Sequence, residues 1–407
     1  MKPHITFVAP FFMDATLRFL HGAAAIEGVS LSLISQDGIE KVPAALRARI
    51  NGHYQVANAL DPAHLVYAAR KLAEQFGPVH RLFGPLEQLQ VPLAAARTQL
   101  GLDGVDVPTA MNFRDKSRMK DALRAANVPC ARHALVGSAD AAHRFIKKVG
   151  YPVVVKPPAG AGGKSTFRLD QSGDLQRYLT RFVPDPGAPA LFEEFVRGTE
   201  YSFDSVMIDG ELVWHSISRY MPSPLDVMEN QWIQWTVMLA RQIDGDEFAP
   251  ICDAAVRGLR ALGLKTGLSH MEWFSLPDGR IAISEVGARP PGAQFSSLLS
   301  YAHDLDFYKA WPRLMAFDEF AVPRRRYAVG AAYFRGQGTG RVHAVHGLDE
   351  AQRRYGELVV EVKLPREGQA PTDSYEGDGY VIVRHPETAA VEDALTNIVK
   401  LIRVELR

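Results

Sequence analysis

Two cysteines in 407 residues, Cys130 and Cys252, stand far apart, with no C-x-x-C spacing and no clustered partner. That excludes a disulfide framework or a cysteine-based zinc site and points to free, buried thiols in a reducing compartment. Net charge is also missing. The 46 Lys and Arg balance 46 Asp and Glu, so no global field gathers nucleic acid or an anionic membrane. No apolar run approaches the ~18–20 residues that span a bilayer. The early run 5–13 has a weak basic flank, is stopped by Asp14 and lacks a small-residue cleavage site, so it reads as a first strand and not as a signal peptide. These absences predict a cytoplasmic protein without nucleic-acid or membrane partners. Internal repeats and low-complexity tracts are absent too, and no G-x-G-x-x-G follows the first strand, so dinucleotide binding has no support.

What is present is an ordinary globular composition, 47% apolar and 23% charged. At ~100–200 residues per domain, the length predicts several domains with clefts between them. Residues 1–108 alternate short apolar runs (5–9, 29–35, 79–84) with helix-compatible segments (14–27, 43–50, 62–76, 86–100), the rhythm of a doubly wound parallel sheet. Residues 109–150 read as helical, with helices over 115–127 and 139–149, before a strand at 153–156. From 191 to about 290 strand signals dominate and predict a largely antiparallel sheet, broken by a polar, Trp-rich stretch at 221–235 and a helix near 250–262. Strands near 328–334, 357–363 and 378–384 and a closing helix at 388–404 read as a small α+β appendage. The fold class is thus mixed α/β and α+β, multi-domain.

The run 157–166, Pro-Pro-Ala-Gly-Ala-Gly-Gly-Lys-Ser-Thr, nearly matches the P-loop pattern. Pro158 stands where the first Gly is required, however, and residues 165–169 alternate like a strand instead of opening the helix whose N-terminus a P-loop uses to hold phosphate. The better reading is a β-hairpin whose loop, with Gly160, Gly162, Gly163, Lys164 and Ser165, offers unobstructed backbone N–H groups to phosphates. Lys156 ends the incoming strand, where an ammonium can pair with a phosphate under the loop. Taken alone, this segment fits a solvated hairpin tip equally well.

Between 270 and 287, Asp278-Gly279 is a two-residue hairpin signal flanked by strand-like runs. With that turn, Glu272 and Glu285 face each other across the ladder, Cβ atoms roughly 4.5–5.5 Å apart, an arrangement that is destabilising without an intervening positive charge. Magnesium, or manganese in its place, meets the need, taking one or two carboxylates and completing its shell with phosphate oxygens and water. The same register sets His270 opposite Gly287 and leaves Arg289, held extended by Pro290, to follow. A one-residue bulge would break it.

The stretch 191–204 reads as strand, turn, strand. Backbone groups at Glu194, Phe195 and Val196 suit a purine ring, and Glu200 suits ribose hydroxyls, although a hydrophobic strand leading to an acidic turn fits the same residues. In the neighbouring stretch, His215, Arg219 and His270 are candidates for contacting substrate, and the 221–235 segment for lining an acyl or amine pocket.

In this order the motifs resemble the ATP-grasp superfamily, and within it the carboxylate-amine ligases of the L-amino-acid ligase type. They are Asp115-Lys116, the strand ending at Lys156, the glycine loop, Glu193-Glu194-Phe195-Val196 with Glu200, Glu272, and Glu285-Val286-Gly287-Ala288-Arg289. The resemblance covers almost the whole chain and implies a pre-ATP-grasp Rossmann-like domain (1–108), a lid and central subdomain (109–196), a C-terminal catalytic subdomain (197–320) and an α+β extension (321–407). It implies that Lys116 and Lys156 contact ATP phosphates, that the loop from Gly160 to Ser165 closes over them, and that Glu193 to Val196 meet adenine and Glu200 ribose. Glu272 and Glu285 would hold metal, with Arg289 beside the transferring phosphoryl group. Many members carry Asn where this chain has Gly287, which puts a third direct ligand in question.

The implied reaction joins a small-molecule carboxylate to an amine through an acyl phosphate, releasing ADP and phosphate; a homodimer is compatible with it. A biotin-carboxylase-like enzyme is the alternative, but the Gln-Val-Glu-His stretch that follows the arginine there is replaced by Pro290-Pro291-Gly292-Ala293. A catalytically silent nucleotide-binding protein is the other.

Overall fold

The structure is a computed structural model that describes residues 2–160, 165–230 and 233–407. The first unit is a parallel sheet ordered Gly52–Gln55, Ser30–Ser35, His4–Val8, Val79–Phe83, with helices between the strands, as the alternating pattern predicts. Helix Pro62–Phe76 begins where the signals say: Asp61 caps the Ala63 amide, Pro62 takes the first turn, and Gly77 at φ 86° ends it. The strand Gly52–Gln55 was not expected. Its sequence, Gly-His-Tyr-Gln, has no apolar alternation, and as an edge strand it is only half-buried.

The second sheet has four antiparallel strands ordered His133–Val136, Ala190–Glu194, Val153–Lys156, Phe167–Leu169, backed by helices Ala139–Val149 and Ser172–Arg181 around Phe145, Leu175 and Phe192. The third sheet has eight strands in the order Ile281–Gly287, Gly267–Ser275, Thr199–Ile208, Glu211–Met221, Trp235–Leu239, Ala328–Phe334, Gly379–His385, Val359–Lys363, every neighbouring pair antiparallel. Three strands of the α+β terminal segment continue the central sheet, because Ala328–Phe334, buried throughout, pairs with Trp235–Leu239. The closing helix stops at Leu401, and Arg403–Leu406 forms a small sheet with Gly336–Gly338 and Val342–His346.

One face of the large sheet is covered by helix Ala249–Leu262, which packs on Phe203, Met207, Ile217 and Trp273. The parallel unit docks through helix Asp14–Ala24 against Phe307–Phe317. Gly22 permits that approach, since a Cβ there would lie 1.9 Å from the Tyr308 carbonyl oxygen. The two thiols are free and half-buried, and no helix among the described residues is long and apolar enough to cross a membrane.

The 270–287 hairpin departs from expectation twice, and the two departures cancel. Its turn has three residues, Pro277-Asp278-Gly279, closed by Leu276 N–H donating to the Arg280 carbonyl, with Gly279 at φ 81°. Ser275 then pairs with Ile281 and Trp273 with Ile283, one residue off the two-residue-turn register. A bulge at Ser284 restores that register, so Glu272 faces Glu285 and His270 faces Gly287.

Candidate active site

A cleft of about 1520 Å³, counting the space open at its mouth, lies between the four-stranded antiparallel sheet, the carboxylate hairpin and the start of helix Lys116–Ala125. Asp115 caps that helix by accepting from the Ser117 and Arg118 amides. The cap fixes Lys116 at its first position. Its ammonium lies 2.9 Å from Glu285 Oε1 and donates to the Gly160 carbonyl at 3.1 Å. Arg114 Nη1 donates to the same carbonyl at 3.2 Å, so two cations hold the base of the glycine loop. Gly162, Gly163 and Lys164 lie outside the described residues; Gly160 lines the cleft and Ser165 has φ 56°.

Lys156 ends its strand with the ammonium 3.1 Å from Glu193 Oε2. Glu193 was expected at the nucleotide hinge, yet its side chain is buried between two lysines. Lys120 approaches Oε1 at 3.4 Å and donates to the carbonyl of the bulged Ser284 at 2.8 Å. Burial would raise the Glu193 pKa, but Lys120 and Lys156 hold it below the usual carboxylate value. Burial also lowers Lys120, whereas for Lys156 the nearby Glu193 and Glu285 outweigh burial and raise it. Sequence reading missed Lys120, whose signal was its place four residues after Lys116 on one helix face.

Lys120→Met is expected to destabilise the protein by about 2 kcal/mol. That is less than breaking a lone buried pair, because Glu193 keeps Lys156. Urea unfolding measures it, and an unchanged midpoint would dismiss the buried pair as a stabilising link.

Residues 194–196, expected to meet adenine, run along the edge of the cleft. Glu194 turns its carboxylate to Arg132, and the Phe195 amide donates to the Pro152 carbonyl at 3.2 Å. Among the described residues none bonds to the Val196 backbone, which lines the cleft. Glu200 is buried opposite Phe274, and burial together with the charge of Glu272 pushes its pKa well up.

Glu272 and Glu285 both face the cleft. Among the described residues no group of three or more His, Cys, Asp or Glu forms a metal cage. Two facing carboxylates lining one cleft with Lys116 and Lys156 fit magnesium, which takes one or two carboxylates and leaves the rest of its shell to phosphate and water. A Cβ at Gly287 would meet nothing closer than Glu87 Oε2 at 3.6 Å, so that position adds open space in place of a side-chain ligand.

His270 lines the cleft between Asp204, whose Oδ1 is 2.7 Å from Nδ1, and Glu272, 3.8 Å from Nε2; Tyr220 Oη lies 3.3 Å from Nε2. Burial alone would lower its pKa, but the two carboxylates bring it up to about 9, and the resulting charge in turn helps to hold Glu272 low against burial. Arg289 donates from Nε to Glu87 Oε2 at 2.8 Å and from Nη1 to the Pro290 carbonyl at 2.8 Å while lining the cleft. Glu87, from the parallel unit, also lies 3.7 Å from Arg114.

Two candidates are not brought to the cleft. Arg219 is exposed, and His215 stacks on Phe203 at 5.0 Å, with Cys252 Sγ 3.9 Å from Nε2. Strand alternation explains both: 215, 217 and 219 share the face under helix Ala249–Leu262, and Tyr220 points the other way, into the cleft. The 221–235 stretch contains helix Pro224–Glu229, and Pro224, Leu225, Met228 and Trp235 line the cleft; Trp232 lies outside the described residues. Tyr375, which lines the cleft, and Glu87, which holds Arg289, carried no sequence signal because only tertiary packing brings them here.

Residues 121–298 match the sequence model of the ATP-grasp domain family. The chain is 24% identical over 241 residues to the L-arginine-specific L-amino acid ligase of Bacillus subtilis, covering 58% of this chain and 57% of that protein. It thus spans little more than half of that relative's length. Its fold is similar to that of an L-amino acid ligase from Bacillus licheniformis, with TM-score 0.78 and 18% identity over 100% of both chains. It is also similar to N5-carboxyaminoimidazole synthetase from Staphylococcus aureus complexed with ADP, with TM-score 0.73 and 13% identity over 98% of each chain. At such identities the structural likenesses speak for the fold. The family match falls on the stretch that holds Lys156 and the cleft's carboxylates, and the fold of the whole chain is similar to that of the L-amino acid ligase.

Proposed function

We propose that this protein is an ATP-dependent carboxylate-amine ligase that forms an amide bond through an acyl phosphate. The observation that carries the reading is one cleft in which Glu272 and Glu285 face each other with Lys116, Lys156 and Arg289 around them. The substrate carboxylate oxygen forms a bond to the γ-phosphorus as the bond to the ADP oxygen breaks. An amine then adds to the acyl carbon, the bond from that carbon to the phosphate oxygen breaks, and the departing phosphate takes the proton that the amine gives up. Lys116 and Lys156 neutralise the phosphates, and Val196 and its neighbours receive adenine with Glu200 at the ribose. Arg289, oriented by Glu87, stabilises charge developing on the transferring group. Glu272 and Glu285 would hold magnesium, which when bound supplies further charge neutralisation there. The glycine loop, held at Gly160, excludes water that would hydrolyse an acyl phosphate.

The partners in this reading are small molecules, with no nucleic acid or membrane, and the setting is the cytoplasm. A screen of carboxylic acids against amines tests it, reading ADP release and confirming the amide by mass spectrometry. ATP binding without ADP release for any pair would support the silent nucleotide-binding alternative instead.

A further inference from the structure

Beyond the metal carboxylates the cleft ends in a chamber walled by rings from distant stretches of chain. Tyr220, Trp235, Phe295 and Tyr375 line it, and Leu225 and Met228 extend its apolar surface. The rings meet edge to face: Tyr220 and Trp235 have centroids 5.6 Å apart at 71°, Tyr220 and Phe295 5.9 Å at 69°, Trp235 and Tyr375 4.8 Å at 74°.

The walls are pinned at one strand end. Arg335, buried, donates to the carbonyls of Val227, Asn230 and Ile233 and so holds the Leu225–Met228 wall. Asp378 accepts from the Gly336 amide at 3.2 Å and the Thr372 amide at 2.7 Å, and donates from its own amide to the Phe334 carbonyl at 2.7 Å. That fixes the loop carrying Tyr375.

We propose that this chamber receives the side chain of the carboxylate substrate, that the substrate is an acid with a large apolar or aromatic side chain, and that Tyr375 is a specificity-determining residue. The inference rests on the ligase reading. The substrate carboxylate then lies toward Arg289 at the chamber's mouth, and its side chain displaces water from the rings. The lining residues offer a cationic side chain no free carboxylate at this end, and Glu376, beside Tyr375 and 3.9 Å from where a Cβ on Gly292 would lie, has its pKa raised by burial, which disfavours its anion. Among the described residues the lining carboxylates are Glu193, Glu194, Glu200, Glu272 and Glu285, all engaged at the nucleotide and metal end, and Arg289 and the Asp204-paired His270 flank the chamber. Cation–π binding needs an open ring face, whereas these rings present edges to one another's faces.

The test measures ADP release at fixed amine with leucine, methionine and phenylalanine against alanine, arginine, lysine and glutamate. The expected result is a kcat/KM at least ~10-fold higher for the large apolar acids than for alanine and for the charged acids. In Tyr375→Ala the KM for the preferred acid should rise about 10-fold with ATP affinity unchanged, and Tyr375→Phe should restore it. Preference for arginine or lysine, or an unchanged KM in Tyr375→Ala with normal ATP affinity, would overturn the proposal. Absence of ADP release with every acid would overturn the ligase reading, and the proposal with it.

Discussion

Glu285→Ala is expected to cut ADP release by about 10³-fold, the scale of losing several kcal/mol of charge stabilisation at a transferring phosphoryl group. The fold should survive. The Glu285 side chain is 30% exposed and its ion-pair partner is Lys116, which keeps the Gly160 carbonyl when the carboxylate goes. The stability cost is therefore about 1 kcal/mol. The pairing with Glu272 explains why so exposed a residue matters. Two carboxylates held opposite each other repel and gain from a shared cation, so removing one dismantles the reason for the other. The assay reads ADP production with both substrates present, alongside urea unfolding. Unchanged ADP release would sink the metal assignment.

Lys156→Met should weaken ATP binding about 30–150-fold by calorimetry, as losing one charge-assisted contact worth about 2–3 kcal/mol predicts. The buried Glu193 carboxylate is not orphaned by this change, because Lys120 remains beside it. Loss of affinity can thus be separated from loss of fold. Equal affinity in variant and parent would remove Lys156 from the nucleotide site.

The legible part of the site was the part encoded by local geometry. A strand ending in lysine, a glycine-rich turn and a hairpin with glutamates at matching distances from its turn all follow from short-range rules. The hairpin also shows the limit of those rules. The three-residue turn alone would have offset Glu285 from Glu272, and only the bulge at Ser284 brings them face to face. A bulge has no reliable sequence signature, being selected by what its carbonyl meets, here Lys120. Arg219 lies off the cleft because alternation along the Glu211–Met221 strand gives the cleft side to Tyr220. Tyr375 reaches the cleft, and Glu87 and Asp204 reach its lining side chains Arg289 and His270, by long-range packing, which no window of sequence contains. The edge strand Gly52–Gln55 escaped for another reason: half-buried edges need no apolar alternation.

The continuity of the eight-stranded sheet bears on how this molecule can be cut or recombined. A fragment ending near residue 320 would keep the ATP-grasp match intact yet expose Trp235–Leu239, five fully apolar-packed or buried positions, as an open edge of unpaired amides and carbonyls. Such an edge recruits other chains. Shuffling the terminal quarter of the protein among relatives would meet the same obstacle, since the joint is a hydrogen-bonded seam between strands and not a linker.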